Sequence, residues 1–208
     1  MIQERESRFI VAHASGRRDQ NLVDEAITKV HARCGGQPVA WCSDGWRAYT
    51  EAIWRAYRRP VRTGRVGRPP LRVPEGLSLT QTIKHRDERG RLLEVERRTT
   101  IGTAAAAAAA VRQPVPVHIE RLNGVFRDRL AALTRKTHAF AKTAQTWDAL
   151  FGLSVFEHNW LREHPALRQP STTAGRRYQR RTPAMEVGLT DHRWSWREFL
   201  TTKPTISY

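Results

Sequence analysis

Val39-Ala40-Trp41-Cys42-Ser43-Asp44-Gly45 is the stretch of sequence that decides the predicted fold. Its first four residues form a short apolar run after Pro38, which indicates a buried strand. Asp44 therefore lies just beyond the carboxyl end of that strand, where α/β sheets place their ligands. An Asx turn that merely ends the strand explains the same residues. For Asp44 taken alone, we favour that simpler interpretation.

The residues before this strand predict a second strand and a helix. Phe9 to Ala14 is a short apolar run after a polar turn, which is typical of the second strand of a hairpin. Asp19 is a suitable N-cap for a helix whose apolar stripe runs until Gly35-Gly36 ends it. The order strand, helix, strand predicts a β-α-β unit that leads to Asp44. A further helix is predicted from Trp46 to Tyr57.

Residues 58 to 110 change in character twice. Residues 58 to 76 are rich in Arg, Gly and Pro and predict an extended basic loop. Leu77 to Arg86 and Leu92 to Ile101 are strand-like runs on either side of Asp87-Glu88-Arg89-Gly90, a pattern that predicts a β-hairpin. The alanines at 104 to 110 predict a helical turn or two.

Two longer helices are predicted in the second half of the chain. The first runs from about His118 to Leu133 with one apolar stripe. The second runs from about Thr146 to Arg162, is apolar on most of its circumference, and is expected to be largely buried. His158 and His164 are spaced unlike a zinc pair, so core or surface roles are favoured for them.

The charge of the chain points to a polyanionic partner. Its 208 residues include 36 Lys and Arg against 20 Asp and Glu, a net charge of +16. Arg and Lys that neutralise phosphates release counterions, so nucleic acid is the expected partner. A genome that favours Arg codons explains part of the excess. A basic RNA-binding protein would also explain the charge, but not the acidic motifs.

Other classes of protein are disfavoured. The sequence has no long apolar run that predicts a membrane span, and Met1 to Arg8 lacks the apolar core of a secretion signal. Cys34 and Cys42 show no metal-ligand or disulfide pattern. We therefore expect a cytoplasmic protein without a membrane partner.

Glu120 is a second candidate for chemistry. On the predicted helix it lies beside the apolar stripe, and Asn123, Gly124 and Arg127 follow on the same face. Such a face would suit a metal-bound phosphate. A solvated face near the helix N-terminus explains it equally well. A strand-end Asp together with a helix-borne Glu is also how two-metal phosphoryl-transfer sites are built.

Four motifs in sequence order carry a resemblance to a known family. They are Phe9 to Asp19, Trp41 to Tyr49, the stretch from His118 to Arg127 with Leu133 to Thr137, and Arg181 to Met185. Together they resemble the DDE-type transposases of the smallest class of bacterial insertion sequences, the insertion-sequence-one family and its relatives. The resemblance covers most of the chain and is weakest over residues 102 to 117.

The resemblance implies a chemistry and a set of residues. It implies cleavage and strand transfer of double-stranded DNA, at transposon ends and target, with two Mg²⁺ or Mn²⁺ ions. Asp44 and Glu120 would be the second and third catalytic, metal-binding carboxylates. The residues that it implies for DNA binding or support of the site are Arg121, Asn123, Arg127, Arg135 and Lys136.

The chain departs from this family in one respect. Family members carry their first Asp on a strand upstream of the segment that matches Met1 to Phe9, and that strand is absent here. We therefore expect an α/β fold with a ribonuclease-H-like mixed sheet, flanking helices, the first strand missing, and an inserted β-hairpin. The expected domains are a catalytic domain over 1–167, with a basic loop and hairpin insertion over 58–101, and a basic, aromatic tail over 168–208.

The function expected from this departure has two forms. The first is a transposase catalytic-domain portion with impaired activity. The second is a non-catalytic DNA-binding or inhibitory remnant of a transposase. Either form would associate with the bacterial nucleoid, and it would form homo-oligomers or bind full-length transposase. Whether the polypeptide is an enzyme by itself stays open on the sequence.

Overall fold

The fold was derived from a computed structural model, which describes residues 1–62, 64, 66–110, 117–134, 138–171 and 175–203. The strands in chain order are β1 Ile2–Gln3, β2 Ile10–Ala12, β3 Ala40–Asp44, β4 Arg59–Pro60, β5 Leu71–Arg72, β6 Ser78–Arg86, β7 Leu92–Ile101, β8 His164–Pro170 and β9 Tyr178–Arg181. The helices are α1 Gln20–Arg33, α2 Arg47–Tyr57, α3 Ala104–Ala110, α4 Val117–Arg129, α5 Ala144–Phe156, α6 Pro183–Glu186 and α7 Trp196–Thr201. A 3-10 turn, Ala131–Leu133, follows α4, and a π-helix, Glu157–Leu161, extends α5.

A three-stranded mixed sheet in the order β3-β6-β7 carries the candidate site. β3 and β6 run parallel, with Asp44 opposite Thr82, and β6 and β7 form an antiparallel hairpin. β6 takes the central position because its first five residues, Ser78 to Thr82, are all buried and need neighbours on both sides. The chain is therefore a mixed α/β protein with helices flanking a mixed sheet.

The predicted hairpin is confirmed, and its role in the sheet is larger than expected. The strands lie within one residue of the predicted runs, and the hairpin joins the main sheet through β6 rather than standing apart from it. The predicted basic loop is also more ordered than expected, because β4 and β5 pair at its two ends.

The β-α-β unit predicted through α1 is wrong. β2 pairs with β1 in a separate two-stranded sheet, whereas β3 pairs with β6, so the parallel connection runs through α2. Strands that follow each other along the chain often become neighbours, but the fully buried run of β6 supplies the partner that β3 takes here.

Helices α1 and α2 begin and end close to the predicted residues. Asp19 caps α1 by accepting a hydrogen bond from the backbone N–H of Leu22 at 3.1 Å. The two helices pack on each other, and both bury apolar side chains from one face. The buried residues are Val23, Ile27 and Val30 of α1 and Ala48, Ala52, Ile53 and Tyr57 of α2.

The later helices differ from prediction. α4 ends at Arg129 rather than near Leu133, and of its predicted stripe only Leu122 and Phe126 are buried. The expectation that α5 is largely buried is wrong, since Leu150 and Leu153 are 38% and 41% exposed. A helix of this size contacts a small core from one side, so an apolar circumference does not bury it.

The described chain forms two compact units. One comprises Met1–Ile2 and Ala12–Asn123, and the other comprises Gln3–Val11 and Gly124–Tyr208. The second unit has its own core, which contains Ile10, Phe126, Phe151, Leu161, Leu167, Ala184 and Met185. The domain boundary predicted after residue 167 falls inside β8 and stays a prediction. No helix among the described residues is long and apolar enough to span a bilayer.

Candidate functional site

A cleft of about 410 Å³ in the first unit contains both acids predicted from the sequence. Asp44 comes from the end of β3 and Glu120 from the first turn of α4. The residues that line the cleft are Arg18, Asp44, Gly45, Trp46, Thr82, Ile83, Lys84 and Glu120. The fold thus places two carboxylates that are distant in sequence in the same cleft, together with two cationic side chains.

Asp44 forms the Asx turn that the simpler interpretation requires, and only one of its two carboxylate oxygens takes part in that turn. Its Oδ1 accepts a hydrogen bond from the N–H of Trp46 at 3.1 Å. Within the described residues, its Oδ2 has no hydrogen bond or ion pair, and the side chain is exposed. The turn therefore orients the carboxylate and leaves Oδ2 available to a ligand.

Gln81 ties the central strand to the turn that carries Asp44. Its amide Nε2 donates to the carbonyl oxygens of Asp44 at 2.9 Å and Trp46 at 3.1 Å. Its Oε1 accepts from the hydroxyl of Thr50 at 3.3 Å. The side chain is buried, so these bonds are shielded from water. The position of Asp44 thus depends on a neutral amide in the next strand.

The turn requires glycine at position 45 because its backbone lies close to the side chain of Ile83, and not because of its backbone angles. A Cβ atom built on Gly45 would lie 2.8 Å from Cγ1 of Ile83. Because Cγ1 is near the stem of a β-branched side chain, it cannot swing away freely. The turn and β6 are therefore in direct contact beside the carboxylate of Asp44.

Lys84 neutralises the second acid. Its Nζ donates to Oε1 of Glu120 at 2.7 Å, and both side chains are exposed. An exposed pair of this kind contributes up to about 1 kcal/mol, because solvent competes for both charges. A ligand with higher charge density can displace it.

Arg18 and the ring of Trp46 also line the cleft. The guanidinium of Arg18 lies 4.7 Å from the centroid of the Trp46 ring, a cation–π contact that holds a positive charge at the cleft. Trp46 in turn meets the edge of Tyr49. Burial, and then the nearby Asp44 carboxylate, raise the pKa of Tyr49 above its usual value.

The residues expected to contact DNA do not line the cleft. Arg121 is exposed and Asn123 is half-buried on α4, and Arg127 is exposed farther along that helix, in the second unit. Arg135 and Lys136 lie outside the described residues. The roles of all five residues stay predictions.

The described residues contain no cluster of three or more His, Cys, Asp or Glu side chains arranged for a metal ion. His158 and His164 do contact each other, with ring centroids 5.0 Å apart. Their two rings are a partly buried pair in the second unit rather than part of a ligand set.

Arg18, Gln81 and Lys84 are the site residues that sequence reasoning missed. Arg18 lies just before the N-cap of α1, and the other two are members of a hairpin strand. Lys84 shares a strand face with Thr80 and Thr82, but nothing local says that this face meets Asp44. Only the pairing of β6 with β3 reveals it.

Comparison with known proteins adds no relative to these observations. No family model, no curated protein and no solved structure matches the chain.

Proposed function

We propose that this chain is the catalytic-domain portion of a DDE-type transposase with a ribonuclease-H-like sheet, and that it binds duplex DNA. Its cleft holds one divalent cation between Asp44 and Glu120. The observation that carries the proposal is that these two acids, one after a strand and one on a helix, line the same cleft. Arg18 and Lys84 in that cleft supply positive charge for a phosphate.

The donors in the cleft fit one divalent ion and not two. Mg²⁺ is commonly held by one or two carboxylates, with phosphate oxygens and waters completing its shell. The hydroxyl of Thr82, opposite Asp44 in the ladder, is buried and has no hydrogen-bond partner among the described residues. A metal-bound water beside Asp44 would satisfy it. A third carboxylate, which a pair of ions would need, is not among the cleft residues.

This donor set has a consequence for activity. A pair of ions stabilises both the attacking and the leaving oxygen of a phosphodiester, and one ion stabilises only one of them. We therefore expect the polypeptide by itself to bind DNA and one cation without strand transfer. Association with full-length transposase or with further copies, in the nucleoid, is part of the same proposal.

The second candidate is a non-catalytic DNA-binding protein. The ion pair of Lys84 with Glu120 favours it, because the ammonium group supplies the positive charge that a metal would otherwise bring. On this alternative, the cleft is neutral without any cation, and divalent ions have no effect on it.

Binding of Mn²⁺, followed by electron paramagnetic resonance of the free ion, separates the two candidates. Lys84→Met removes the internal cation from Glu120, and we expect Mn²⁺ to bind the variant up to about fivefold more tightly, since an ion pair of up to about 1 kcal/mol no longer competes. Asp44→Asn and Glu120→Gln should each abolish binding, while duplex DNA binding by Glu120→Gln stays unchanged.

A matched control is available for the lysine. Lys29 forms an ion pair with Glu25 at 2.6 Å outside the cleft, so Lys29→Met removes the same charge from a comparable pair. This control should bind Mn²⁺ as the unaltered chain does. Equal Mn²⁺ affinity of Lys84→Met and Lys29→Met would overturn the metal-binding proposal and leave the non-catalytic alternative.

A further inference from the structure

The hairpin formed by β8 and β9 concentrates positive charge without any carboxylate. Between His164 and Arg181 there are five arginines and no Asp or Glu. The hairpin of β6 and β7 differs, because it carries four carboxylates beside its six Lys and Arg. Two of those carboxylates form ion pairs with basic neighbours, Asp87 with Arg91 and Glu96 with Arg98. The β8–β9 hairpin is therefore the stronger basic surface.

The base of this hairpin is anchored to the second unit. Leu167 is buried, and Arg181 pairs with Glu186 at 2.6 Å and donates to the carbonyl oxygen of Met185. Thr182 is fully buried and caps α6, which follows the hairpin directly. One arginine is thus used structurally, and the ribbon projects from a fixed base.

The other four arginines are exposed, and two of them lie against one aromatic ring. The guanidinium groups of Arg168 and Arg177 lie 4.7 and 5.3 Å from the centroid of the Tyr178 ring. Pro170 pairs with Tyr178 across the ladder, so Arg168, two residues before Pro170, shares the face of that ring. Arg180, two residues after Tyr178, lies on this face as well. Within the described chain none of these three arginines has an ion pair with a carboxylate.

We propose that the β8–β9 hairpin binds the phosphate backbone of duplex DNA, with Arg168, Arg177 and Arg180 as contact residues and Tyr178 as the positioning residue of Arg168 and Arg177. This inference rests on the proposed function and adds a surface to it. The cation–π contacts hold the guanidinium groups in place, which lowers the entropy lost when they meet phosphates.

The geometry favours duplex DNA over other polyanions. An exposed two-stranded ribbon fits the major groove of B-form DNA, whereas the major groove of duplex RNA is too narrow for it. Single-stranded nucleic acid is usually held by stacking of bases on free aromatic faces. The ring of Tyr178 is already covered by guanidinium groups, so it offers no such platform.

Fluorescence anisotropy with a labelled 30-base-pair duplex at several salt concentrations tests this proposal. The triple variant Arg168→Gln, Arg177→Gln, Arg180→Gln should bind about tenfold more weakly near 0.1 M salt, and the dependence of log K on log salt should flatten by roughly two to three units. Tyr178→Leu should weaken binding in the same direction, and Tyr178→Phe should restore it because the ring is kept.

The control is a triple variant in the other hairpin, Arg86→Gln, Arg89→Gln, Arg91→Gln. It removes the same formal charge from an exposed ribbon whose carboxylates already offset it, and we expect less than a twofold loss. Equal losses in the two triple variants would overturn the proposal, because net charge alone would then explain binding. An undiminished affinity of the β8–β9 variant for the duplex would also overturn the proposal.

The possible results distinguish a failure of this inference from a failure of the proposed function. A chain that binds no duplex at any salt concentration contradicts both. A chain that binds duplex equally with and without the three arginines contradicts only the hairpin. Tighter binding to single-stranded DNA, duplex RNA or anionic vesicles than to duplex DNA would also overturn it. Thermal unfolding of each variant, followed by circular dichroism, confirms that the fold is retained.

Discussion

Gly45 and Ile83 lie in such close contact that the residue after Asp44 has no room for a side chain. The close approach places the turn after β3 against the central strand, so the carboxylate of Asp44 is positioned partly by what Gly45 lacks. The backbone of the same turn is held by the side-chain amide of Gln81, which donates a hydrogen bond to the carbonyl oxygen of Asp44. Two neutral residues thus orient one charged residue.

Gly45→Ala is expected to destabilise the chain by about 1–3 kcal/mol, because the added methyl group overlaps Cγ1 of Ile83. Chemical denaturation measures the change. Ile83→Ala removes the obstructing atom, so the double variant should lose less than the sum of the two single variants. Gly152→Ala serves as the control, since a Cβ there meets nothing within 4 Å. It should stabilise α5 by up to about 1 kcal/mol. A Gly45→Ala variant that is as stable as the unaltered chain contradicts the steric argument.

At the scale of elements, the connection from β3 through α2 to β6 depends on a few polar contacts that cross from strand to turn. Gln81 is the main one, because its side chain reaches carbonyl oxygens on both sides of Gly45. Within the three-stranded sheet β3 is an outer strand, and β6 is its only strand neighbour among the described residues.

Gln81→Leu should cost about 1–3 kcal/mol, since it leaves the carbonyl oxygens of Asp44 and Trp46 without their donor. It should also weaken Mn²⁺ binding, although residue 81 does not line the cleft. The matched variant Thr80→Val removes a buried hydroxyl one residue away, whose bond to Thr99 is long at 3.4 Å. It should leave Mn²⁺ binding unchanged. If both variants affect the ion equally, Gln81 has no particular positioning role.

How far the sequence predicts these elements depends on how local their causes are. The ends of α1 follow from Asp19 and Gly35, and the turn of the β6–β7 hairpin from its Asp-Glu-Arg-Gly tetrapeptide. Strand pairing is decided by residues distant in the chain, so the partner of β3 was predicted wrongly. Asp44 and Glu120 were identifiable from their local sequence, whereas Lys84 reaches the same cleft through strand pairing and was not.

At the scale of the whole molecule, the second unit is held together by contacts between residues that are distant in sequence. His158 donates from Nε2 to the carbonyl oxygen of Arg8 at 2.9 Å, and its ring meets that of His164. Burial, and then the charges of His158, Arg162 and Arg8, lower the pKa of His164 to about 4. Burial likewise lowers the pKa of His158, with smaller effects from Arg162 and Arg129.

These pKa shifts predict that the chain becomes less stable as the pH falls from about 6.5 to about 4. In that window the unfolded chain binds a proton at His164 and the folded chain does not, so protonation favours unfolding. Above 6.5 both states are neutral, and this contribution no longer varies. His164→Phe keeps a ring against His158 but cannot bind a proton. Its unfolding midpoint should therefore fall less steeply over the window.

The exposed His192 provides a control of opposite sign. Hydrogen bonds from its ring to Asp191 and Glu198 raise its pKa, so acid favours its folded form. His192→Gln should slightly steepen the loss of stability on acidification. Identical pH profiles for the unaltered chain and His164→Phe would show that the histidine pair does not govern the acid response.

Asn159 donates to the carbonyl oxygen of Ile10 and accepts from its N–H, so one side chain completes the hydrogen bonding of β2. During translation, residue 159 leaves the ribosome long after residue 10. At about 5–20 residues per second the delay is roughly 10–30 s. For that interval the nascent β2 has an unfinished edge and an uncovered isoleucine, a state that molecular chaperones recognise. The hydrogen bonding of Ile10 therefore stays incomplete until residue 159 has been synthesised. The yield of the protein in a cell should depend on how well the early segment is shielded until then.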